Sequence, residues 1–269
     1  MNPTPSFPLE TAPPVQGGFD FRRRLRAALV HLLLSVLVAA SASALVFGVW
    51  YPKPFGEISG GRELFTLLIS VDIVIGPLLT FAVFNRRKPR HELVRDLSVI
   101  AALQIAALGY GLYTTAQARP AVLAMEGQRL VAVRPIDLED GDLARASEGL
   151  RVLPWFGMLH VGTERPAGES VLEAVEIAMA GRDYGKRPEA WRPEAVFREQ
   201  AIKYAAPLAE LRKQYPDRSD ELDAAVAATG RPAEQLGYLP LMARKTSWVV
   251  LIDRQSGEIA GYAPFDGFF

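Results

Sequence analysis

"LFTLLISVDIVIGPLLTFAVF", Leu64–Phe84, decides how the chain is read. It is as long as the ~20 apolar residues a helix needs to cross a hydrocarbon core. Yet it carries a carboxylate, Asp72, and a helix breaker, Pro77. Either the run is not in a membrane, or something there needs the acid and the break. Its neighbours favour a membrane. An apolar run extends from Ala27 to Trp50, interrupted only by His31 and serines, and a third from Leu97 to Gln117. The basic start and the "ASASA" of Ala40–Ala44 also suit a cleaved signal peptide. The apolar run nevertheless continues through "LVFGVWYP", and cleavage would leave the topology below unchanged.

Charge sets the orientation. Arg22, Arg23, Arg24 and Arg26 precede the first run, and Arg86, Arg87, Lys88, Arg90 and Arg95 fill the second connection. The first connection, "YPKPFGEISGGRE", has only Lys53 and Arg62. Cytoplasmic loops are enriched in Lys and Arg, so the N-terminus and second loop belong in the cytoplasm. Three spans then export everything after Arg119. Trp50, Tyr51 and Phe55 are expected in an aromatic belt on the outer side.

The expected organisation is a Pro-rich leader over residues 1–21 and a three-helix membrane domain over 22–118, with spans near 27–50, 64–84 and 97–117. A mixed α+β extracytoplasmic domain follows over 119–269. In that domain "AVLAMEGQRLVAVRP" reads as two strands around a turn, "PWFGMLHVG" as a strand and "AGESVLEAVEIAMAG" as a helix between glycines. The helical pattern of "RPEAVFREQAIKYAAPLAELRKQYP" is interrupted at Pro207, and "DRSDELDAAVAATG" forms a short helix with a glycine stop. "SWVVLIDRQSGEIAGYAPF" supplies two closing strands.

Composition removes several functions. The formal net charge is zero, which argues against a nucleic-acid partner, because phosphate neutralisation supplies most of that affinity. The absence of cysteine excludes disulfides and thiol chemistry. The three histidines, His31, His91 and His160, give little basis for metal ligation. No P-loop, dinucleotide fingerprint or nucleophile elbow occurs, so neither a catalytic residue nor a cofactor is expected. "DLEDGD", Asp137–Asp142, has the wrong glycine position for a calcium loop and reads as helix capping on a solvated acidic face. Arg182, Tyr184, Lys186, Arg187, Trp191 and Arg192 form a basic-aromatic loop, solvated by default.

Asp72 is then the residue to explain. An Asp at the centre of a span costs ~2.5–3.5 kcal/mol on the insertion scale. Protonation or a partner inside the bundle lowers that cost. Asp72, Gly76 and Thr80 recur at i, i+4 and i+8, and the small residue between two polar ones admits a close neighbour. Pro77 frees the carbonyl of Ile73. Counted from Leu64 at 1.5 Å per residue, Asp72 lies roughly 12 Å deep, level with Ser41 and Tyr110. Their hydroxyls are its expected partners. Gln104 is placed nearer the cytoplasmic side. Two roles stay open: glue within the bundle, or contact with another protein's helix.

The order "WYP" at Trp50–Pro52, "SGGREL" at Ser59–Leu64, "VDIVIGPLLT" at Val71–Thr80, "RDLSVIAALQIAALGYGLYT" at Arg95–Thr114 and "ARP" at Ala118–Pro120 resembles the type IV pilin accessory proteins, the TfpX/TfpZ-like group. The exported half matches loosely, in its first hairpin and closing strands. The resemblance implies a bacterial inner-membrane protein that assists or tunes assembly of a cognate pilin. Its implied partners are that pilin, other pilus assembly components and the lipid bilayer, and it supplies no catalytic residues. The rival classes are a pilin-modifying, glycosylation-linked enzyme and a membrane-anchored ligand sensor. The first connection offers only Glu57 and Glu63 as acids for the former, and the latter lacks a cytoplasmic output domain.

Overall fold

The computed structural model describes residues 21–85, 88–243 and 246–269. The expectations for the leader, and those for Arg86 and Arg87, lie outside the described residues.

The chain begins with α1 (Phe21–Leu45), which widens into a π-turn over Val46–Trp50. A short α2 (Phe55–Ile58) leads to α3 (Gly61–Val83), and α4 (Arg90–Gln117) packs antiparallel to it. Among the described residues, three helices are thus long and apolar enough to cross a membrane: Phe21–Trp50, Phe65–Val83 and Arg90–Gln117. Their surfaces are apolar on the outside as well. Leu33, Leu37, Leu67, Val74, Leu103 and Ile105 are all exposed. A water-soluble bundle would turn such residues inward and face water with charge.

The antiparallel register of α3 and α4 rests on two glycines. A Cβ at Gly76 would overlap the amide of Gln104, and one at Gly111 would overlap Leu68. These are the close approaches that small residues allow between apolar helices, whose association rests on packing rather than on hydrophobic exclusion. α1 packs on α3 too, through its small buried residues Ala28, Ser35 and Ala42.

After α4 come β1 (Val122–Glu126) and β2 (Arg129–Val133), an antiparallel hairpin turned at Gly127, whose φ is +63°. Next are β3 (Leu159–Thr163), α5 (Val171–Met179), β4 (Trp191–Arg192) and α6 (Glu194–Tyr204). β5 (Ala206–Pro207), α7 (Leu208–Gln214) and α8 (Ser219–Ala228) follow, then β6 (Leu236–Met242), β7 (Trp248–Asp253) and β8 (Ile259–Ala263). The strands form one mixed sheet ordered β4-β3-β1-β2-β6-β7-β8, with β5 beside β6. β1 runs parallel to β3, and β2 parallel to β6.

Both faces of the sheet are covered, and the two-residue period of the strands assigns the sides. Leu123, Met125, Leu239, Leu241, Val250 and Ile252 share one core with Phe197 and Ala201 of α6. Leu236, Tyr238, Val249 and Leu251 share another with Leu211 of α7 and Leu222 of α8. The central strand β6 was not anticipated, because Pro240 interrupts its pattern. Pro240 falls between Gly237–Tyr238, which pair with β5, and Leu241–Met242, which pair with β2. The missing N–H therefore sits where one lateral partner ends and the next begins.

Two further expectations need correction. "PWFGMLHVG" is strand only from Leu159 onward; Pro154–Met158 is an irregular loop with Gly157 at φ +72°. Trp50, Tyr51 and Phe55 do not form an exposed aromatic belt: they are 8%, 2% and 0% exposed. The first connection enters the protein interior. Phe55 and Ile58 lie in the core under the sheet, with the Phe55 ring edge-on to Tyr262 at 5.5 Å. The Tyr51 hydroxyl donates to the Thr115 carbonyl at 3.0 Å, and burial pushes its pKa up to about 12. The connection thus couples the helices to the sheet.

Candidate functional site

α3 is the central helix, and its polar stripe meets a different neighbour at each end. Gln104 Nε2 donates to Asp72 Oδ1 and to the Asp72 backbone carbonyl, each at 3.2 Å. Gly76 is buried against the same amide. One turn on, Thr80 is 3% exposed and its hydroxyl lies 2.5 Å from His31 Nδ1 of α1. Pro77 is buried beside Gly76. Asp72, Gly76 and Thr80 therefore do face helix neighbours, the first two towards α4 and the third towards α1.

The expected partners of Asp72 are corrected. Ser41 is exposed, and its hydroxyl donates back to the Leu37 carbonyl four residues earlier, at 3.0 Å. Tyr110 is 69% exposed. The partner is Gln104, which the depth count had placed elsewhere. α3 begins at Gly61 rather than Leu64, which sets Asp72 about 16 Å from the helix start at 1.5 Å per residue. Depth alone also ignores the face each residue occupies. A glutamine in an apolar run, seven residues from a glycine on the same helix face, was the available signal.

α1 and α4 flank α3 and leave a groove between them at the end remote from the sheet. The groove encloses about 750 Å³. Its walls are Ala27, Val30 and Leu34 of α1 with Leu97 and Ala101 of α4; Thr80 and His31 carry its polar groups, and Arg23 and Arg26 stand at its rim. Those of the predicted anchors that are described gather at this same end. Arg24 Nη1 donates to the carbonyls of Phe81 at 3.3 Å and Ala82 at 2.9 Å, placing a cation on the C-terminus of α3, where the helix dipole is negative. Lys88 pairs with Asp96 at 2.8 Å, and Arg22 and Arg90 are exposed.

Many charged residues of the sheet domain pair with one another. Asp142 is fully buried rather than solvated, bound by the Glu139 N–H at 3.0 Å, by Arg182 at 2.6 Å and by Arg145. Burial alone would raise its pKa; these donors outweigh burial and hold it below the usual carboxylate value. Arg187 is buried between Glu169 at 2.6 Å and Glu189 at 3.1 Å, and Trp191 is a core residue donating to the Gly185 carbonyl. The basic-aromatic segment is therefore largely internal packing. His160 stacks on Phe197 at 5.3 Å, and burial lowers its pKa. Among the described residues no group of three or more His, Cys, Asp or Glu is placed to hold a metal.

These features define a class: a helical hairpin-plus-one of membrane-spanning dimensions, bolted to a mixed sheet domain, with its conspicuous polar groups between helices. The comparisons narrow the class. A family model described as fimbrial assembly protein FimB matches residues 19–60, which contain α1 and the connection that enters the sheet core. The chain is 34% identical over 229 residues to the fimbrial assembly protein of serogroup I of Dichelobacter nodosus, covering 84% of this chain and 89% of that protein. The serogroup E1 protein of the same organism is 33% identical over equal shares. The protein of serogroups C1 and C2 is 42% identical over 97 residues, 36% of this chain and 74% of that one. The chain belongs to this family of fimbrial assembly proteins, which bears out the resemblance to type IV pilin accessory proteins. No solved structure matches.

Proposed function

We propose that the protein is a non-enzymatic inner-membrane accessory factor of type IV pilus biogenesis that holds its cognate pilin before or during assembly. In this reading residues 22–118 span the membrane, the leader is cytoplasmic and residues 119–269 form a periplasmic domain. Pilins wait in the membrane on an apolar helix with their heads in the periplasm. A protein with both an intramembrane groove and an extracytoplasmic domain is suited to contact both parts. Asp72 then acts within the bundle through Gln104, and His31, held on the groove wall by buried Thr80, is the polar feature offered to a partner helix.

The observation that carries this reading is the groove between α1 and α4, apolar-walled and open beside the central helix. Pilus components as partners are supported by the names of the relatives. The test has two arms. A clean deletion should lower surface piliation while pilin transcript stays unchanged. A photocrosslinker at Ala101, on the groove wall, should capture pilin, and one at Leu103, exposed on the other side of α4, should capture it far less. Normal piliation in the deletion strain rejects the function. Equal capture from both sites rejects the groove as its seat. Unchanged intact mass of pilin in the deletion strain separates this role from a pilin-modifying one.

A further inference from the structure

The irregular segment from Leu150 to Met158 carries apolar side chains on the outside of the protein. Val152, Trp155 and Phe156 are 78%, 62% and 73% exposed. This is not a floppy excursion, because its position is fixed from below. Arg119 follows directly on the end of α4 and is 5% exposed. Its Nη1 donates to the Ala116 carbonyl in the last turn of α4 at 2.6 Å, and its Nη2 donates to the Pro154 carbonyl at 2.9 Å. The same guanidinium lies 5.1 Å from the centre of the Trp155 ring, a cation–π distance. Trp155 also meets Trp50, the last residue of the first apolar helix, at 6.4 Å between ring centres. Ile136, 62% exposed, sits on the turn that packs against α4.

The loop is thus held at the level where two long apolar helices end and the sheet domain begins. Trp is enriched at that level of membrane proteins because its ring is apolar and its N–H wants a polar partner. Trp50 and Tyr51, which the sequence offers for that role, are buried. We propose that the Leu150–Met158 loop docks on the bilayer, with Trp155 and Phe156 entering the boundary between headgroups and acyl chains on the sheet domain's side. Arg119 is the positioning residue: it ties the loop to α4 and so sets the height of the sheet domain above the lipid. The occupant is lipid because the loop stands at the ends of two helices of membrane-spanning length, with Trp155 against Trp50 and Pro154 tied through Arg119 to the last turn of α4. The inference rests on those helices spanning a bilayer.

The chain has no cysteine, so a nitroxide on one introduced cysteine reports its own site alone. Full-length Phe156→Cys, Val152→Cys, Ile105→Cys and Asp220→Cys proteins are labelled and reconstituted in phosphatidylethanolamine–phosphatidylglycerol vesicles. Collision with oxygen, which dissolves in hydrocarbon, is compared with collision with a water-soluble nickel chelate. Positions 156 and 152 should be several-fold less accessible to nickel than position 220, an exposed residue of α8, and should approach position 105. Arg119→Gln should return position 156 towards the value of position 220. Nickel accessibility at 156 and 152 equal to that at 220, with 105 still shielded, overturns the docking loop and leaves the spans intact. Nickel reaching position 105 overturns the spans and the loop with them.

Discussion

Asp72 earns its place through one amide. An acid in a span is stabilised by a partner, and Gln104 answers both its carboxylate and its carbonyl. Asp72→Asn keeps a hydrogen-bonding group there and should retain the wild-type resistance to denaturing detergent. Asp72→Leu should lose about 1 kcal/mol, the scale of polar contacts between membrane helices. Gly76 makes a sharper test. Gly76→Ala drives a methyl into the Gln104 amide, the mobile end of a side chain that can swing aside, so the cost should be the Asp72 contact it gives up, about 1 kcal/mol. Adding Gln104→Ala should then cost little more, a coupling that a double-mutant cycle reads directly.

A second residue-scale expectation concerns pH. His160 has a pKa below its ordinary 6.5 because burial disfavours its charged form. The unfolded chain therefore takes up the proton first, and stability falls as pH drops through about 6.5. His160→Phe should flatten that part of a thermal-denaturation series. Asp142 and Asp253 act lower down. The donors around them hold both below 3.8, so their contribution is full above that value and disappears as the pH falls through the folded-state pKa.

At the scale of elements, the coupling of helices to sheet depends on the "YPKPFGEIS" connection. Phe55 is fully buried among sheet residues, so Phe55→Ala should cost ~3–5 kcal/mol by cavity formation. Limited proteolysis should show the sheet domain loosened while the long helices persist in detergent. Much of the element plan was legible in the sequence. The apolar runs, the "EGQ" hairpin, the glycine-bounded α5 and the final hairpin each follow from one local period or turn. The "DRQSGE" turn is typical: Asp253 accepts from the Gln255 and Ser256 N–H groups, and Gly257 holds φ +70° against the Arg198 carbonyl. What local pattern could not reveal was tertiary. Pro240 hid β6, the inward fate of Trp50 and Phe55 depended on the sheet lying over them, and the partner of Asp72 depended on helix register.

At the scale of the whole molecule, the plan is a central helix with two flanking helices at one end and a sheet domain seated on their other end. The basic residues Arg22, Arg24, Lys88 and Arg90 gather at the end away from the sheet. In the proposed reading, the positive-inside bias would put that end in the cytoplasm and the sheet in the periplasm. The proposed pilin contact through both groove and domain requires this arrangement. Reporter fusions after Phe269, which leave the whole chain in place, test it most directly. Alkaline phosphatase, which needs the periplasm, should be active there, and a cytosol-dependent fluorescent protein should be dark. A bright fluorescent fusion with inactive phosphatase would put the sheet domain in the cytosol and contradict the account.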